Sequence, residues 1–97
     1  MKVAPLQEEV LDLRRKIHIM NAERFIKAKN EHFALMAQVD EKRDILSDGT
    51  KEKIESIRRK GAYYAVRGGN NFVRFTRNIL ELNNGLRRIL ADLQIHS

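Results

Sequence analysis

Apolar residues return along this chain in steps of three and four, the pattern of helices that each bury one stripe. The most regular run is Phe72, Phe75, Ile79, Leu82, Leu86, Ile89 and Leu93, stepping three, four, three, four, three, four. Such a series of a and d positions asks for facing helices whose side chains form holes for its knobs. An earlier stripe, Leu6, Val10, Leu13, Ile17 and Met20, gives way to Phe25, Ala28, His32, Leu35 and Val39. The five-residue step from 20 to 25 breaks the heptad, so the seam changes face partway. Beyond it Ile26, Phe33 and Met36 widen the apolar arc to about half of the helix circumference, more than one neighbouring helix covers.

Breakers divide this pattern into three helices. Pro5 suits a first helical turn, Glu8, Glu9 and Asp12 sit where the N-terminal dipole favours acids, and no breaker follows until Asp48-Gly49. Helix 1 is therefore expected over about residues 5–46. Ser47-Asp48-Gly49-Thr50 reads as a turn with Thr50 as N-cap, opening helix 2 over about 51–66, with Ile54, Ile57, Gly61 and Tyr64 on one face. Gly68-Gly69 stops it through the left-handed conformation open to glycine, and Asn70 or Asn71 caps helix 3 over about 71–95.

At 1.5 Å per residue these helices measure about 63, 24 and 37 Å, so the second and third together match the first. The expectation is an all-α fold, a hairpin whose return arm is broken in two, forming a single domain over residues 1–97. Because such a hairpin leaves the wide arc around Phe25 to Val39 uncovered, a homodimer is expected to complete the bundle. The packing residues named by this reading are Phe25, Phe33, Leu35, Phe72, Phe75, Ile79, Leu82, Leu86 and Ile89.

Composition narrows the function classes. The chain has 97 residues, 33% of them charged, one proline, no tryptophan and no cysteine. That excludes disulfides, thiol nucleophiles and Cys-ligated metals, and suits a reducing cytoplasm. No apolar run reaches the roughly 20 residues that span a bilayer, and the N-terminus carries no secretory apolar segment. Nineteen basic against thirteen acidic residues leave a net charge of +6, which favours anionic partners. Nucleic acid is accordingly the second class of partner after protein, with Arg58, Arg59, Lys60, Arg67, Arg74 and Arg77 as its contacts.

Catalytic and cofactor patterns are missing. His18 and His32 fall about 21 Å apart on one helix, too far to share a metal, and no Glu-x-x-His or His-x-x-x-His spacing occurs. Arg67-Gly68-Gly69-Asn70-Asn71 lacks the Lys-Ser/Thr pair of a phosphate loop. Neither a metal nor a cofactor is expected. The outline of long, short and medium helices nevertheless resembles the all-helical AroQ-type chorismate mutases. Leu13-Arg14-Arg15-Lys16-Ile17 looks like that family's Leu-Arg-x-x-Ile, Lys42 stands near its helix 1 lysine, and Glu52 or Glu55 near its helix 2 glutamate. The second helix 1 arginine falls around Lys29, Asn30 or Glu31, and Arg87 stands in place of the helix 3 glutamine. The resemblance implies a shared scaffold without the activity. The functional expectation is a basic, cytoplasmic helical protein that homodimerises and acts by protein binding, as an adaptor, assembly or regulatory factor.

Overall fold

A computed structural model describes the backbone of residues 4–96 and the side chains of residues 7–94; the side chain of Leu6 and all of Ser97 lie outside the described residues. Three α-helices account for most of it: α1 (Ala4–Glu41), α2 (Asp48–Arg67) and α3 (Phe72–His96), joined through 3-10 turns at Arg43–Ile45 and Gly68–Asn70. No strand occurs among the described residues.

The helices lie side by side rather than as a hairpin with a broken arm. Along α2, Arg58 reaches Asp40 and Gly61 abuts His32, and just past its end Gly68 abuts Phe25, so α2 runs antiparallel to α1. Along α3, Phe72 stacks near His18 and Phe25, Asn83 bonds to His32, and Arg87 pairs with Glu31, so α3 runs parallel to α1. Two short connections reverse the chain twice, and adding helix lengths end to end could not reveal the second reversal. The wide arc of α1 is thereby covered in part within the chain: α2 and α3 together bury Phe25, Ala28, His32, Leu35, Met36 and Val39, while Ile26 and Phe33 stay about half exposed.

Packing also decides where the helices end. Nothing in the local sequence stops α1 before 46, yet the α-helix ends at Glu41 and the chain tightens through Ile45 N–H to Lys42 C=O and Leu46 N–H to Arg43 C=O bonds. This turn lets Leu46 fold back under Val39 and Ile54 as a plug on the core. The helix 2 cap is Ser47, three residues before the expected Thr50: its Oγ accepts the Thr50 amide at 3.2 Å. Asn71 caps α3 by accepting the Arg74 amide at 3.1 Å. Gly68 is not left-handed; at φ −53° and ψ −35° its backbone is open to any residue. Glycine is needed there because a Cβ would enter the Phe25 ring.

The core has two apolar halves. Leu35, Met36, Val39, Leu46, Ile54 and Leu86 fill one, with Ile57, Ile89, Leu90 and Leu93 at its edge. Phe25, Ala28 and Ile79 fill the other, flanked by Tyr64, Phe72 and Phe75. Between them sits a polar layer. Asn83 and His32, both buried, meet there, and Asn83 Nδ2 donates to the Ala28 carbonyl at 3.2 Å.

Candidate protein-binding surface

Ahead of His18, α1 has no neighbours from the rest of the chain among the described residues. Every described side chain from Gln7 to Met20 is exposed, and α3 begins only beside His18, whose ring lies 5.4 Å from that of Phe72. Ala4 to Ile17 therefore project as an arm of about 21 Å. This accounts for a molecule 69 Å long but only 23 by 15 Å across.

The arm's apolar side chains are those of a packed helix. Val10, Leu13, Ile17 and Met20 keep the heptad spacing, and with Leu11 and Ile19 they are 42–58% exposed. Gln7, Val10, Leu11 and Arg14 surround an open groove of about 390 Å³. Their spacing, three, four and seven residues from the first, is that of the four-residue hole that takes a knob in a coiled coil. A helix this short is marginal in water on its own; here it is held by continuity with the packed part of α1. A second, separate line, Ile19, Ile26 and Phe33, spaced by seven, lies on the outside of α1 with each residue about half exposed.

Charge on the arm is segregated. Glu8, Glu9 and Asp12 precede Arg14, Arg15 and Lys16, and within the arm only Lys16 and Asp12 form an ion pair, at 3.2 Å, among the described residues. Exposed pairs of this kind contribute only tenths of a kcal/mol, so most of the charge remains directed to solvent.

The residues expected to pack between chains mostly pack within this one. Phe25, Leu35, Ile79 and Leu86 are buried in the two core halves; Phe72, Phe75 and Ile89 are half-buried at their edges, and Leu82 is half-buried. Of that set only Phe33 stands open. The six cations expected for an anion do not form one centre. Arg58 is turned toward Asp40 and Glu55, and its hydrogen bond to Asp40 holds it even more firmly charged. The Arg67 guanidinium lies over the Tyr63 ring at 5.1 Å and that of Arg74 near the Phe75 ring at 5.8 Å. Arg59, Lys60 and Arg77 are exposed.

The mutase-like set is dispersed within the chain. Arg14 sits on the open arm, Lys42 about 42 Å further along the α1 direction, and Arg87 is occupied by Glu31. No group of three or more acidic or histidine side chains suited to a metal occurs among the described residues, and no described helix is long and apolar enough to cross a membrane. Asn83 escaped the sequence reading because it stands one position off the Leu82–Leu86 step. Its signal was its spacing, four after Ile79 and three before Leu86. The chain matches no protein-family model, no curated protein and no solved structure.

Proposed function

We propose that this protein works by helix–helix association, as a homodimerising adaptor, assembly or regulatory factor, and that the projecting arm of α1 is its contact surface. One observation carries the reading: an amphipathic helical arm with heptad-spaced Val10, Leu13, Ile17 and Met20, left uncovered by a chain that buries the stripe from Phe25 to Val39 and the inner face of α3. Burial of such a stripe against another helix removes apolar surface from water at about 25 cal/mol per Å², and α1 offers no intramolecular way to do so.

Light scattering of the full chain and of Ile17→Asp at micromolar concentration tests the reading. The full chain should associate, with a dimer at twice the 11.3 kDa chain mass. The variant should lose that association while its circular dichroism stays helical, because the arm contributes nothing to the bundle core. Identical masses, together with identical capture of other proteins by the full chain and the variant, would overturn it.

A further inference from the structure

We infer that the arm's partner is the arm of a second copy, paired antiparallel about a two-fold axis that passes between residues 11 and 12. This rests on the association reading above and adds the occupant, its direction and its register.

Length supports the axis. The unaccompanied stretch runs from Ala4 to Ile17, where α3 begins beside His18. With the axis there, residues 4–17 of one arm lie level with residues 19–6 of the other, so the described arms overlap throughout and each reaches the start of the other's bundle beside His18. A contact that maps onto itself in this way closes a dimer and leaves no free edge.

Charge selects the register. With the axis between 11 and 12, Val10 lies opposite Leu13 twice, and Glu8 and Glu9 of one arm come level with Arg15 and Arg14 of the other. On a helical wheel Glu9 and Lys16 share one flank of the apolar stripe, so each Glu9 faces the second arm's Lys16. Lys16 then lies between its own Asp12, at 3.2 Å, and that Glu9. Sliding the arms by one heptad, to set Val10 opposite Met20, brings Lys16 toward its own copy and Glu9 toward Glu23.

A parallel pair fares worse. Every residue would then lie level with its own copy, acids against acids and bases against bases. Glu9 would gain a cross-edge contact to Arg14, which the antiparallel pair matches with Lys16. Past Met20, exposed Arg24 and Lys27 follow on the same side of α1 and would each meet themselves. Antiparallel arms part before that point.

The absence of cysteine makes single-site labelling unambiguous. Lys27→Cys carrying a spin label should give an inter-copy distance of about 45 Å in the antiparallel dimer, whereas parallel arms would hold the labels within about 20 Å. Lys16→Glu should weaken the dimer by roughly tenfold, and Glu9→Lys added to it should restore the affinity. A short label distance, or no restoration by the double variant, overturns this pairing but leaves association through the arm standing. A monomeric chain also overturns it; the association reading then stands only if another protein binds the full chain and not Ile17→Asp.

Discussion

His32 and Asn83, fifty-one positions apart, meet at 3.0 Å between His32 Nδ1 and Asn83 Oδ1, and both are buried. The Asn83 amide group is oriented by its Nδ2 bond to the Ala28 carbonyl, so its oxygen faces the imidazole and Nδ1 carries the proton. The pair forms the polar layer between the two apolar halves. A buried polar pair with one permitted geometry penalises slippage of α3 along α1, since any shift leaves both groups desolvated and unpaired.

Stability should fall in mild acid because of this pair. Burial is the main cause that holds the His32 pKa below its ordinary 6.5; Arg58 also opposes the proton, against the Asn83 bond. Above about 6.5 histidine is neutral in both folded and unfolded chains, and it costs nothing there. As pH drops below 6.5 the unfolded chain takes up the proton first, so folding loses free energy until the folded-state pKa is passed. Urea midpoints should decline between pH 7.5 and 5, and His32→Gln should flatten that part of the decline.

Asn83→Ala should cost about 1–3 kcal/mol at pH 7.5, the penalty for stranding a buried donor. Chemical denaturation measures it, and an unchanged midpoint would show that water replaces the amide.

Gly61 and Gly85 should respond oppositely to alanine. A Cβ at Gly61 would enter the His32 ring, whereas one at Gly85 would sit 3.6 Å from Ile57 Cδ1, an ordinary contact. Gly85→Ala should stabilise the bundle by about 0.5–1 kcal/mol through helix propensity. Gly61→Ala should destabilise it by about 1–3 kcal/mol despite the same propensity gain. Thermal melts of the two variants provide the comparison.

Leu86→Ala should cost about 2–5 kcal/mol at any protein concentration, because Leu86 is fully buried in the larger apolar half. Leu13→Ala should act only through association, so its effect on the melting temperature should vanish on dilution. Melts across a hundredfold range of concentration separate the two.

Retention of duplex DNA at low salt, expected from the net charge of +6, should fall steeply as salt rises. Arg59→Ala with Lys60→Ala should flatten that slope. Arg58→Ala should change it less, because Asp40 and Glu55 already neutralise that side chain.

Heptad spacing and breakers were enough to read an all-α chain, three helices, their approximate ends, the Asn cap of α3 and the apolar stripes, because 3.6-residue periodicity and capping are local properties. Even the arm was legible as a stripe, Leu6 to Met20, set off by the five-residue step before Phe25. Direction was not local. Only packing decided that α2 returns along α1 and that α3 reverses again, which buries Phe25, Leu35 and Val39 inside the chain and leaves Leu13 and Ile17 open. Leu46 shows the same dependence, since the helix stops at Glu41 to let it reach Val39 and Ile54. Gly68 and Asn83 take their roles from residues dozens of positions away, a ring that excludes a Cβ and an imidazole that needs an acceptor. Sequence determines which faces must be buried; the tertiary structure decides which neighbour buries them, because that choice depends on the whole set of helices competing for the same surface.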